Sequence, residues 1–128
     1  MSVGAAIRIT SASEDVVIRH AAELAKSQGV PCYIISIVRS LPYHAVTPDD
    51  EDAVRHNLEL IADLRLSPVM QEGDEIAQTL LDVARGFAVR TLFLQNGSRH
   101  GRGRTIAEKL LYLDPPFDVV VVGTAANG

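Results

Sequence analysis

There is no tryptophan in this chain, and the aromatic residues together make up 5% of its 128 residues. An interior without large rings has to be built from aliphatic side chains. Cysteine occurs once, as Cys32, which excludes an internal disulfide framework and fits a reducing compartment. No apolar run approaches the ~18 residues that a membrane-spanning helix needs. Met1, Ser2, Val3 and Gly4 bring neither a basic region nor an extended apolar segment, so no secretory leader and no membrane partner are expected, and the cytoplasm is the expected location. An excess of positive charge is also missing. Twelve Lys and Arg stand against sixteen Asp and Glu, a net charge of −4, which argues against a nucleic-acid partner. His20, His44, His56 and His100 are too scattered for metal-ligand spacing.

What is present describes one compact unit. A hydrophobic content of 47% with 22% charged residues excludes intrinsic disorder, and 128 residues correspond to a single domain, 1–128, with a small polar tail at 124–128. Short apolar runs alternate with amphipathic stretches. Residues 5–10 form the first expected strand, and Ser13 is placed to cap a helix that carries Val17, Ile18, Ala21, Ala22, Leu24 and Ala25 and stops at Gly29. Residues 32–38 are apolar on both faces, as a strand covered on both sides should be. After a loop at 39–47, Thr47 and Pro48 open a second helix, with Asp49, Asp50, Glu51 and Asp52 crowding its positive end. Its expected inner face is Val54, Leu58, Ile61 and Ala62. A strand at 67–71, a helix from Gly73 with Ile76, Leu80, Val83, Ala84 and Phe87 in register, a strand at 89–94, a helix at 105–113 and a strand at 118–122 complete the chain. Strict alternation of strands and helices implies right-handed crossovers and an α/β fold with a parallel sheet.

In an open parallel sheet, ligands bind beyond the carboxyl ends of the strands, where strand order reverses. Two loops fall at such ends. Thr10, Ser11, Ala12 and Ser13 form a small hydroxylic one, whose serines could hydrogen-bond a phosphate or ribose or simply cap the helix. The other runs from Gln95 and Asn96 to a helix start and holds Gly97, Ser98, Arg99, His100, Gly101, Arg102, Gly103 and Arg104. Glycines let backbone N–H groups approach an anion closely, arginines add forked donors, and the following helix adds partial positive charge. That is the chemistry of a phosphate cradle, although neither a P-loop nor the dinucleotide fingerprint is present; a solvated surface loop is the alternative. Cys32 opens an apolar strand and fits a small buried hydrophobe better than a nucleophile. No Ser/His/Asp order or carboxylate pair marks a hydrolytic centre.

Three segments together resemble the universal stress protein family along nearly the whole chain. They are the first strand and helix around Ile7, Thr10 and residues 17–31, the stretch Gly73, Asp74, Glu75, Ile76 to Ala84, and the Gly-rich loop with Thr105, Ile106, Ala107, Glu108 and the final Val-rich strand. Within the family the chain is most similar to the stress-protein-like domain of potassium-sensor histidine kinases, where a Ser-x-Ser also follows the first strand, as Ser11-Ala12-Ser13 does here. The resemblance implies a single open five-stranded sheet of order 3-2-1-4-5 with helices on both faces, a Rossmann-like, adenine-nucleotide-hydrolase-like architecture. Nucleotide-binding members hold ATP with an acid at the end of strand one and a Gly-x2-Gly-x9-Gly-Ser/Thr loop. Here Gly97 matches the first glycine and Thr105 the terminal hydroxyl. The acid is replaced by Thr10 or Ser11, His100 stands at the second glycine beside Gly101, and Arg104 precedes Thr105. Some sensor-kinase domains of this type bind cyclic di-AMP through the Ser-x-Ser and an aromatic-rich second strand, which here carries Tyr33.

The expectation is a non-enzymatic signalling module. Thr10, Ser11, Ser13, Gly97, Ser98, Arg99, His100, Gly101, Arg102, Arg104 and Thr105 would surround an adenine nucleotide (ATP or AMP), a cyclic dinucleotide or another phosphate-bearing ligand. The competing expectations are a protein-interaction or scaffold domain without a nucleotide, and a weak phosphohydrolase using His100. Val119, Val120, Val121 and Val122 would form an exposed apolar edge, and pairing it with a second copy would remove that liability. A homodimer through the last strand is therefore the expected assembly.

Overall fold

A computed structural model describes residues 1–38, 47–95 and 105–123. Nine elements follow one another in strict alternation: β1 (Ser2–Ile7), α1 (Asp15–Gln28), β2 (Cys32–Val38), α2 (Pro48–Asp63), β3 (Ser67–Glu72), α3 (Ile76–Gly86), β4 (Val89–Gln95), α4 (Ile106–Tyr112) and β5 (Asp118–Val122). The strands form one parallel five-stranded sheet of order β3-β2-β1-β4-β5. Strand order reverses between β1 and β4, so their carboxyl ends flank the switch point. This is the expected α/β topology.

Each face of the sheet has its own aliphatic cluster. Val3, Ala5, Ile7, Cys32, Ile34 and Phe93 pack with Val17, Ile18, Ala21 and Ala25 of α1 and Leu60 and Ile61 of α2. On the other face Ile35, Leu92 and Leu94 pack with Ala77, Leu80, Leu81 and Ala84 of α3 and Ala107 and Leu110 of α4. Two-sided burial explains why β1, β2 and the middle of β4, Leu92 to Leu94, read as apolar runs.

Local chemistry sets the ends. Gly29 terminates α1 in the left-handed region, at φ 66°, where its N–H bonds to Lys26 O and Val30 N–H to Ala25 O. Thr47 caps α2, accepting from Asp50 N–H while the Asp50 carboxylate accepts from Thr47 N–H, with Pro48 in the first turn. Arg65, Ala88 and Asp114 take the positive-φ position after α2, α3 and α4, although none is glycine.

Four expectations need correction. The first strand is Ser2–Ile7, not residues 5–10, because Arg8 N–H leaves the ladder for the Glu14 carboxylate at 2.7 Å. The N-cap of α1 is Glu14, not Ser13, whose hydroxyl lies 3.1 Å from that of Ser11 instead. The third helix begins at Ile76, three residues after Gly73. On α2 the expected Ile61 is buried, but its companions on the buried face are Ala53, Asn57 and Leu60. Val54, Leu58 and Ala62 turn outward and, with Glu51, Arg55 and Glu59, line a shallow groove of about 580 Å³.

Candidate functional site

The turn that joins β1 to α1 stands at the switch point and is held from three sides. Ser11 N–H donates to Arg8 O at 2.9 Å, which closes the turn internally. From α2, Asn57 sends its amide nitrogen under the turn and donates to Ile9 O and Ser11 O, both at 2.9 Å. From the end of β4, Gln95 reaches across the switch point and donates to Ser13 O at 2.9 Å. Beneath the turn Glu14 folds back, and its Oε1 accepts from Arg8 N–H. A fourth tie lies alongside. The exposed His56 of α2 donates from Nε2 to the Asp15 carboxylate in the first turn of α1, at 2.9 and 3.0 Å.

These anchors leave a particular surface. Because Glu14 is turned down toward Arg8, no side chain among the described residues caps α1. The first N–H groups of that helix are orphan donors with partial positive charge, an arrangement suited to an anion. Ser11 and Ser13 stand beside them, with Ser13 and Thr10 exposed and Ser11 half-buried. Two hydroxyls joined to each other and a bare helix start could take hydrogen bonds to phosphate or ribose oxygens.

The electrostatics below the surface are unusual. Glu14 is 4% exposed and Asn57 is fully buried, yet Glu14 Oε2 and Asn57 Oδ1 have no hydrogen-bond partner among the described residues. Burial raises the Glu14 carboxyl above its ordinary value; the Arg8 N–H bond and the Arg8 charge oppose that rise without cancelling it.

Of the expected site residues, the structure brings Thr10, Ser11 and Ser13 together in this turn. Gly97, Ser98, Arg99, His100, Gly101, Arg102 and Arg104 lie outside the described residues. So do the loop at 39–46 and the tail at 124–128. Thr105 is described, and its polar atoms are engaged: its oxygen accepts from Glu108 N–H at 3.1 Å, while its hydroxyl and amide both donate to Glu108 Oε1. The residue expected to meet a phosphate is the N-cap of α4 in a reciprocal box with Glu108. Among the described residues no group of His, Cys, Asp and Glu is arranged to hold a metal ion, and no helix is long and apolar enough to cross a membrane. Cys32 is 6% exposed, and burial pushes its thiol up to about 11.

Sequence reasoning missed Glu14 and Asn57, and it gave Gln95, the first residue of the Gly/Arg loop, no role of its own. Asn57 carried a signal, since it is the one polar residue on an otherwise apolar helix stripe. Glu14 carried none.

No protein-family model matches the chain, and no curated protein matches it in sequence. Solved structures do match its fold. The universal stress protein from Archaeoglobus fulgidus in complex with dAMP has a TM-score of 0.65 at 19% identity, over 94% of this chain and 96% of that one. A universal stress protein in complex with cAMP has a TM-score of 0.69 at 12% identity, over 96% of this chain and 98% of that one. A putative universal stress protein from Pseudomonas aeruginosa gives 0.73 at 18% identity, with 96% of this chain lying on 47% of that one. The chain thus has the Rossmann-like α/β fold of universal stress proteins.

Proposed function

We propose that this chain is a regulatory module that binds an adenine nucleotide or another phosphate-bearing ligand at the switch point between β1 and β4. The observation that carries this reading is the start of α1, uncapped by any side chain among the described residues and fronted by the hydroxyls of Ser11 and Ser13. Fold neighbours solved with dAMP and with cAMP support the same ligand class. In this reading Thr10, Ser11 and Ser13 take one side of the ligand, and Gly97, Ser98, Arg99, His100, Gly101, Arg102 and Arg104 take the phosphates. The protein acts by binding, as a cytoplasmic signalling domain, and its Ser-x-Ser keeps the likeness to the sensor-kinase domains within the proposal. Titration calorimetry with ATP, AMP, cAMP and cyclic di-AMP tests it. Micromolar binding that Ser11→Ala with Ser13→Ala weakens tenfold or more is expected; no heat from any of the four removes the nucleotide reading.

A second reading, a protein-interaction domain that takes no nucleotide, is favoured by one observation. The Thr105 donors that would meet a phosphate are committed to Glu108.

The assembly belongs to the proposal as well. β5 is an edge strand on which Val120 and Val121 are 36% and 44% exposed, and Leu111 and Tyr112 of α4 are 58% and 77% exposed. Pairing β5 with a second copy covers the edge. Sedimentation at micromolar concentration should show a dimer that Val120→Lys dissociates, and a monomeric wild type rejects this assembly.

A further inference from the structure

The α2 helix has apolar residues on two sides. Ala53, Leu60 and Ile61 face inward with Asn57. A second row, Val54, Leu58 and Ala62 at i, i+4 and i+8, runs for about 12 Å along the helix. Val54 is half-buried, Leu58 is 39% exposed and Ala62 is exposed. Among the described residues, only α2 itself lines the groove that this row floors. The flank can be placed. His56 bonds to Asp15 of α1 and so marks the α1 side of α2. Val54 and Leu58 fall on the flank turned the other way. Because α2 packs against β3, the outermost strand, that flank lies over the β3 edge of the sheet. On β3 itself Val69 packs into the α3 cluster, so alternation turns Met70 to the α2 side, where it is 58% exposed. One exposed leucine needs no explanation, but apolar side chains aligned along one edge mark an interaction surface.

Charge says what can cover it. α2 carries Asp49, Asp50, Glu51, Asp52, Glu59 and Asp63 against a single arginine, Arg55. That arginine is answered by Asp52 at 3.3 Å. Glu51 and Glu59 border the apolar row, and neither forms an ion pair among the described residues. The row is thus apolar with an acidic margin. A second copy offering its own α2 would set these carboxylates against one another, which is unfavourable. The chain's own concentrated positive charge, Arg99, Arg102 and Arg104, has no apolar residue within it to fill the row. An anionic membrane surface fails on the same charge. What matches is a segment that presents an apolar stripe at helical spacing with lysines or arginines beside it.

We propose that the outer flank of α2, with Met70 beside it, is the docking surface for a basic amphipathic helix of a partner protein. Val54 and Leu58 enter the apolar stripe of that helix, and the small Ala62 lets the two backbones approach. Glu51 and Glu59 face the basic residues at the margins of the stripe and set its orientation. The surface is separate from the turn between β1 and α1 and stands whether or not a nucleotide binds there.

The experiment titrates the full chain with three synthetic peptides of about 18 residues, long enough to form a helix. One has leucines at every third and fourth position and lysines elsewhere. The second has glutamates in place of the lysines, and the third scrambles the first so that no stripe remains. Calorimetry and amide NMR shifts are read together. The expected result is micromolar binding of the striped lysine peptide alone, with shifts centred on Val54, Leu58, Ala62 and Met70. Val54→Ser with Leu58→Ser should weaken it about tenfold or more. Should that variant not fold, Glu51→Lys with Glu59→Lys, both at exposed positions, should weaken it as much. No binding by the wild type, as when another part of this chain already lies on the row, overturns the proposal. So do equal binding of the scrambled peptide, shifts centred elsewhere, or variants that bind like the wild type. Concentration-dependent shifts at Val54 and Leu58 without peptide would make the occupant a second copy and overturn it too. No nucleotide is present in these titrations, so their outcome is separate from that of the binding proposal.

Discussion

Replacing Asn57 by alanine removes the strut between α2 and the β1–α1 turn. Two N–H···O bonds of 2.9 Å are lost, to Ile9 O and Ser11 O. Each such bond contributes about 1 kcal/mol net, and a carbonyl left dry costs about 1–3 kcal/mol. The unpartnered Oδ1 disappears with the side chain, which returns part of that loss. The balance is a destabilisation of about 2 kcal/mol, roughly a thirtyfold change in the folded-to-unfolded ratio. Urea denaturation followed by circular dichroism measures it, with the slope against urea unchanged so that the shift reads as stability alone. For a domain of this size the melting point should fall by roughly 8 °C. Asn57→Leu is the control. Leucine fills the space with apolar atoms but cannot donate, so it should be no better than alanine. A leucine variant as stable as the wild type, or an alanine variant within about 0.5 kcal/mol of it, would refute the strut and make Asn57 a packing residue only.

Three further tests address other parts of the fold. In Gly73→Ala the new Cβ would clash with Thr79 Oγ1 and stand 2.8 Å from its Cγ2 and 3.0 Å from its Cβ, so a loss of about 1–3 kcal/mol is expected, partly recovered by Thr79→Ala in the same chain; chemical denaturation of the single and double variants checks it. Ala88, exposed and left-handed at φ 55°, should gain about 0.5–1 kcal/mol as glycine, seen as a higher urea midpoint. Cys32 should label slowly with a thiol reagent in the folded chain and rapidly in urea. Its raised thiol makes the neutral form the native one, so the linked stability is fully present below pH 9.0 and is lost as pH rises through about 11, as a denaturation series in pH would show.

The α/β order was legible because the devices that make it are local. Gly29, the Thr47–Asp50 box with Pro48, and two-sided apolar strands each act within a few residues. Errors arose where a local pattern had two solutions. Apolar residues continue through Ile9, so composition did not show that β1 ends at Ile7, where Arg8 N–H turns to a carboxylate. On α2, one candidate stripe is Val54, Leu58, Ile61 and Ala62, wholly apolar. The other is Ala53, Asn57, Leu60 and Ile61, broken by an asparagine. Hydrophobicity alone favours the unbroken stripe. The chain buries the broken one because Asn57 has carbonyls to serve, and a satisfied amide can occupy a core position.

The candidate site was legible only in its exposed half, and the reason is distance along the chain. Ser11 and Ser13 announce themselves by type and by position after a strand. What fixes them comes from elsewhere: Asn57 lies 48 and 46 residues from the carbonyls it holds, and Gln95 lies 82 residues from Ser13. No spacing rule reaches that far. The asparagine that obscured the α2 face was nevertheless the best available clue to the site. A polar side chain on a buried stripe implies a buried polar partner, and in a parallel sheet the unpaired backbone lies in the turns beyond the strand ends. Taken that way, Asn57 points to a turn beyond a strand end, and its bonds to Ile9 O and Ser11 O make that turn the one between β1 and α1. The same residue then accounts for two facts at once: which face of α2 is inward, and why the turn at the switch point holds its shape.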